Sequence, residues 1–157
     1  MKDKRSILVS ILEWGTTISA FGLIFTVLLQ IVTRRFFGNI APSWTEEASR
    51  FFFIYAISFG AGLAQREGYF VSMDYFYRKF NSRMKGILEL IISLVSAVLF
   101  LLMAIFSIYF IAMGTSETSP GLGLPMSIAF ASMLIMSGAI LYYLVKQFIQ
   151  HYRSVNK

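Results

Sequence analysis

The stretch 42-PSWTEEASRFFFIYAISFGAGLAQR-66 decides how often the chain crosses a membrane. Between Arg50 and Arg66 lie 15 uncharged residues, about 22 Å of helix against about 30 Å of hydrocarbon. That run alone is too short to span. Starting the helix at Trp44 extends it to about 33 Å, which suffices, and places Glu46, Glu47 and Arg50 in its first two turns. Ser43 and Glu46 have the spacing of a capping box, in which the hydroxyl accepts a first-turn N–H and the glutamate reaches back to the cap. Glu46 and Arg50 stand at i, i+4, and Glu47 and Arg50 at i, i+3, so either carboxylate can neutralise the guanidinium. The stretch therefore predicts a helix over 44–65 whose charges start it and cancel one another. The competing reading gives Glu47 and Arg50 a contact with another subunit.

Composition agrees with a membrane setting. Of 157 residues, 57% are hydrophobic and 14% charged, too little polar surface to cover a soluble core. Three further segments are long and apolar enough to span, at about 10–33, 87–113 and 126–149. They contain 14-WGTTISAFGLIFTVLLQIVT-33, the uncharged run from Leu90 to Ser116, and the segment after Pro125, a residue suited to a helix's first turn. The first is expected to remain as an anchor, because its apolar run is too long for a cleaved signal and no small-residue cleavage site follows. With no cysteine and one histidine, His151, a disulfide framework, a thiolate zinc site and a cysteine nucleophile are excluded. The expected fold is an all-α integral membrane protein, one four-span domain over 1–157.

Lysine and arginine set the orientation. Eleven lie in the N-terminal 2-KDKR-5, the loop between spans two and three, and the C-terminal tail; only Arg34, Arg35 and Arg50 fall on the other side. The positive-inside rule places both termini in the cytoplasm. The net charge of +6 thus belongs to the membrane face, and no nucleic-acid partner is expected.

The segment 66-REGYFVSMDYFYRKFNSRMKG-86 is too charged to cross and too aromatic for a plain loop. Tyr69, Met73, Phe76, Phe80 and Met84 recur at helical steps, with Asp74, Arg78, Asn81 and Lys85 opposite. The pattern predicts an amphipathic helix over about 68–85 lying in the membrane plane, its basic side toward anionic lipid headgroups.

The spans lack what a transport core or an enzyme needs. Glu13, Arg50 and Glu89 sit near helix ends, the spans contain no central proline, and Gln30 is read as an interhelical hydrogen bond. No nucleophile with a base, phosphate loop or metal spacing occurs, so neither catalytic residues nor cofactors are expected. Small residues do recur, Ala56, Gly60 and Ala64 on span two and Gly15 and Ser19 on span one, as close helix packing in lipid requires. These features fit an accessory subunit. A small homo-oligomeric channel would need a polar stripe along one span, and a stand-alone membrane enzyme would need acidic or histidine clusters at one interface.

The order of these features resembles the small, DctQ-like membrane subunit of tripartite ATP-independent periplasmic (TRAP) transporters. The resemblance rests on 30-QIVTRRFFG-38, 44-WTEEASRFFFIYAISFGAG-62, 67-EGYFVSMDYF-76 and 123-GLP-125 and covers essentially the whole chain. Its most specific part is Trp44, Glu47, Arg50 and Gly60, followed by Gly68 and Asp74. Where such subunits typically have an aliphatic residue or histidine before a basic one, this chain reads Phe70-Val71-Ser72-Met73-Asp74. The resemblance implies a non-catalytic subunit in the bacterial inner membrane that braces a large permease subunit as a heterodimer. It also implies a periplasmic substrate-binding protein as partner and sodium-coupled uptake of an organic acid. Arg34, Trp44, Glu46, Glu47, Arg50 and Gly60 are the candidate interface or structural residues.

Overall fold

Backbone groups in an apolar solvent must pair within their own segment, and the apolar runs of this chain are helical throughout the computed structural model, which describes residues 7–37, 42–67 and 82–155. Among the described residues the helices are α1 (Ile7–Phe37), α2 (Ser43–Arg66), α3 (Ser82–Met113) and α4 (Ser127–Val155). No strand occurs among the described residues, and a single bridge between Thr118 and Pro125 closes the loop joining α3 to α4. Three helices have stretches long and apolar enough to cross a membrane: Ile7–Phe36, Ile91–Met113 and Ser127–Ile149. The fourth, α2, is long enough, but its Glu46, Glu47, Arg50, Gln65 and Arg66 lower its apolarity.

The helices form an open row in which α1 packs along α2, α2 along α4, and α4 along α3. Large apolar side chains therefore remain exposed along both flanks, Phe21 and Phe25 on α1 and Leu94 and Val98 on α3 among them. At α1 and α2 the fit is ring into glycine. A Cβ at Gly15 would lie 2.8 Å from the Phe59 ring, and one at Gly22 would lie 2.5 Å from the Phe52 ring. Both pairs sit seven residues apart on antiparallel helices, the spacing that returns a helix to the same face. Thus Gly15 of the expected small-residue ridge seats an aromatic ring, while Gly60 has only Thr16 Cγ2 nearby, 3.9 Å from a would-be Cβ.

At α2 and α4 a glycine faces an alanine methyl. A Cβ at Gly62 would stand 2.8 Å from Ala139 Cβ and 3.1 Å from Leu12 Cδ1, so three helices converge there. Leu12, Ala139 and Tyr143 form the buried apolar cluster beside it, flanked by Leu8, Phe59 and Leu63. Three buried helix hydroxyls are satisfied by their own helices: Ser58 donates to Ile54 O, Ser107 to Met103 O and Ser137 to Met133 O. Such back-bonding lets a hydroxyl sit in an apolar interior without an orphaned donor.

One turn from Gly62, Gln65 Nε2 donates to Gln147 Oε1 at 3.1 Å, and Gln147 Nε2 donates to Gln65 O at 2.9 Å. Gln30, expected to bridge helices, is half-buried and its side chain bonds to no other described residue; the bridging glutamines are Gln65 and Gln147. Gln65→Leu is expected to cost about 1–2 kcal/mol, because it leaves the half-buried Gln147 Oε1 without its donor, whereas Gln65→Leu with Gln147→Leu should be close to neutral apart from the residue-65 carbonyl that Gln147 served. Thermal unfolding of the three variants in one detergent checks this; equal losses in the single and double variants would contradict it.

Most of the expected in-plane helix, with Tyr69, Met73, Asp74, Phe76 and Phe80, lies outside the described residues. Its last part is not separate from span three. The backbone runs as one helix from Ser82 through Met84 to Met113, since no proline interrupts it and a single internal glycine, Gly86, costs only about 1 kcal/mol.

Candidate functional site

The first turns of α2 depart from the capping box. Pro42, extended at φ −61° and ψ 125°, occupies the cap position, no side chain caps the helix, and Ser43 is its first residue. The Pro42 carbonyl accepts from Thr45 N at 3.1 Å and from Thr45 Oγ1 at 2.8 Å. Thr45 is fully buried by this arrangement. Glu46 is drawn away from the cap by a stronger partner, since Arg50 Nη2 donates to its Oε1 in an i, i+4 pair.

That pairing frees Glu47, which does not turn to Arg50. Its Oε2 accepts two backbone N–H groups of the α3–α4 loop, Gly121 and Leu122, both at 2.7 Å. Two amides converging on one carboxylate oxygen form a small anion nest, here filled by the protein's own side chain. The loop is shaped for it. Ser119 N donates to Leu124 O at 2.7 Å, Gly123 N to Ser119 O at 2.9 Å, and Met126 N to Glu117 O at 2.9 Å. Gly123 stands at φ +66°, a left-handed conformation that favours glycine. Gly121 is required for a different reason: a Cβ there would fall 2.6 Å from Glu47 Oε2 and 3.2 Å from Ser43 O.

Glu47 therefore latches the start of α2 to the residues just before α4, and a second contact reinforces it, Tyr55 Oη donating to Ile128 O at 2.7 Å. With the glutamine pair at the far end, α2 and α4 are tied at both ends of a close-packed middle. Beside the latch an open cleft of about 230 Å³ is lined by Ser43, Glu46, Glu47, Arg50, Pro120 and Gly121. Arg50 and Glu46 remain largely exposed there, with side-chain accessibilities of 75% and 50%.

Of the residues singled out from sequence, Glu46, Glu47 and Arg50 thus share one cleft, with the partners redistributed. Trp44 is partly exposed one residue into α2. Arg34 lies in the last turn of α1, a favourable place for a cation at a helix C-terminus, and Gly60 sits in the C-terminal half of α2 beside Thr16. Gly121, Leu122, Gln65 and Gln147 were not foreseen. The run 120-PGLG-123 signals a turn, but its partner lies more than 70 residues away in the chain.

Long exposed apolar helices and a charged, latched helix end describe a multi-pass membrane protein with surface left for partners. Over residues 23–154 the chain matches the DctQ component of tripartite ATP-independent periplasmic transporters. The chain belongs to this family and is the small membrane component of such a transporter, a system with a large membrane subunit and a periplasmic binding protein. Among curated proteins, no match to the chain is found.

Proposed function

We propose that this subunit is a non-catalytic brace for the large membrane subunit of a sodium-coupled organic-acid transporter in the bacterial inner membrane. The observation that carries the reading is the α2–α4 pair, tied by Glu47 and Tyr55 at one end and by Gln65 and Gln147 at the other. A brace has to resist shear while its partner moves, and interhelical hydrogen bonds at both ends of a packed seam supply that resistance. In this reading α2 is the fourth span. At 24 residues it measures about 36 Å, and it lies between two helices that are themselves long and apolar enough to cross. The termini are cytoplasmic, the Glu47 latch faces the periplasm, and residues 68–81 rest on anionic headgroups as an in-plane helix that keeps the scaffold from tilting.

The test is functional and topological. Purified in mild detergent, the chain should bring a larger membrane subunit with it; reconstituted alone, it should move no organic acid, uptake needing the large subunit, the binding protein and a sodium gradient. Sodium-driven uptake by the chain alone would overturn the brace. Ser116, exposed in the α3–α4 loop, should label as Ser116→Cys with an impermeant thiol reagent in intact cells, while Ser6→Cys and Asn156→Cys stay protected. Labelling at either terminus would reverse the orientation.

A further inference from the structure

We infer that one face of α2 is the seat of a transmembrane helix of the large membrane subunit, which presents a hydrogen-bond acceptor at the depth of Arg50. The inference rests on the reading of α2 as a span of a transporter subunit. At about 100° per residue, Glu46, Arg50, Phe53, Ile57, Gly60 and Ala64 fall within one sector of about 80°. The close-packed neighbours lie elsewhere: Phe52 and Phe59 meet α1, while Glu47, Tyr55, Gly62 and Gln65 meet α4 or the loop before it, and Gly60, at the sector's edge, has only Thr16 Cγ2 of α1 nearby, 3.9 Å from a would-be Cβ. The sector itself is open, with Phe53 52% and Ile57 48% exposed.

The chemistry along this sector is graded. At one end is the Glu46–Arg50 ion pair, in the middle are two large apolar side chains, and at the other are Gly60 and Ala64, where a helix backbone can approach closely. Exposed apolar residues on α1 and α3 need only lipid. The α2 sector differs because the Arg50 backbone is seven residues into a helix about 36 Å long; centred on the hydrocarbon, that helix would overhang it by about 3 Å at each end and set the Arg50 backbone about 7 Å below the boundary. Arginine carries five N–H donors and Glu46 takes from only one nitrogen. Lipid tails offer no acceptor for the others, and charges at such depth face protein or water.

A second copy of this chain does not fit. Two copies inserted in the same direction and meeting through this sector would set Arg50 against Arg50 at one depth, because a two-fold interface is self-complementary. A soluble binding protein reaches the cleft rim at Ser43 and Pro120 but not Phe53 or Ile57. The large membrane subunit, with a carboxylate or a free carbonyl at that level, supplies both the acceptor and the apolar length.

The test uses the assembled complex, with a photoreactive phenylalanine analogue at Phe53 or Ile57, and at Ile18 and Val98 as controls on the flanks of α1 and α3. Irradiation is expected to join positions 53 and 57 to the large subunit and to leave positions 18 and 98 uncoupled to protein. Ala64→Leu should lower co-purification about tenfold while the chain still inserts. Coupling from 18 or 98 but not from 53 and 57, or coupling of 53 and 57 to a second copy of this chain, overturns the assignment. Co-purification of the unmodified chain separates the two levels. If the large subunit is recovered but α2 does not couple to it, only the seat fails; if no large subunit is recovered, the accessory-subunit reading fails with it.

Discussion

Gly62→Val is expected to cause a large loss of folded protein. The new Cβ would stand 2.8 Å from Ala139 Cβ and 3.1 Å from Leu12 Cδ1. Ala139 Cβ is fixed to its backbone and has no rotamer to retreat into, so α2 and α4 must separate. Overpacking of this kind costs about 1–3 kcal/mol where a core can adjust, and here the separation also stretches the Gln65–Gln147 pair one turn away. A lower midpoint of thermal unfolding in detergent and less inserted protein are the expected readouts. Ala139→Gly should restore part of the loss by removing the atom in collision. Gly138→Ala is the control. Nothing lies within 4 Å of its would-be Cβ, and alanine is the better helix former by about 1 kcal/mol, so the variant should be neutral or slightly stabilised. Equal damage from positions 62 and 138 would refute the close-packing account.

Removing the latch is the second large effect. Glu47→Ala leaves the Gly121 and Leu122 amides without their acceptor in a part-buried loop, an expected loss of about 2–4 kcal/mol for two charge-assisted bonds. Glu47→Gln keeps a neutral oxygen in place and should lose about half as much. Gly121→Ala attacks the same contact from the loop side, since its Cβ would occupy the space of Glu47 Oε2. The two changes must therefore be non-additive, the double variant resembling the worse single one. Arg50→Met gives the contrast. Arg50 pairs with Glu46, so its loss should leave the latch intact and thermal stability near that of the unaltered chain. Protease sensitivity of the α3–α4 loop, measured beside thermal unfolding, distinguishes a released loop from general instability. Additive losses at Glu47 and Gly121, or a loose loop in Arg50→Met, would count against the arrangement.

Parts of this structure were legible in the sequence because they depend on local rules. Treating the second apolar run as a span predicts a helix that begins near Trp44 rather than after Arg50, and the helix begins at Ser43. The i, i+4 spacing of Glu46 and Arg50 forms its ion pair. The capping box failed for a local reason too: Pro42 fixes an extended backbone and its carbonyl is taken by Thr45, while Arg50 competes successfully for Glu46. What could not be read was set by tertiary contacts. Glu47 had a guanidinium three residues away and a pair of amides more than 70 residues away, and helical geometry alone does not rank them. The glutamines were misjudged likewise: Gln30 lies within a strongly apolar run and draws attention, while Gln65, beside an arginine at a helix end, looks like ordinary interface polarity until Gln147 is seen opposite it.

The glycines of α1 limit how that helix can travel. The Phe59 and Phe52 rings rest over Gly15 and Gly22, so the seam behaves as a two-tooth detent. Sliding α1 by four residues in one direction would drive the rings onto Ile11 and Ile18, and in the other onto Ser19 and Thr26. A seven-residue slip would leave one ring over glycine and press the other against Leu8 or Leu29. No continuous glide exists between these positions, since each intermediate forces a Cβ or a larger side chain into an aromatic ring. Any axial shift of α1 against α2 must therefore lift both rings out of their glycine seats, and the α2–α4 ties join the third helix to the same seam.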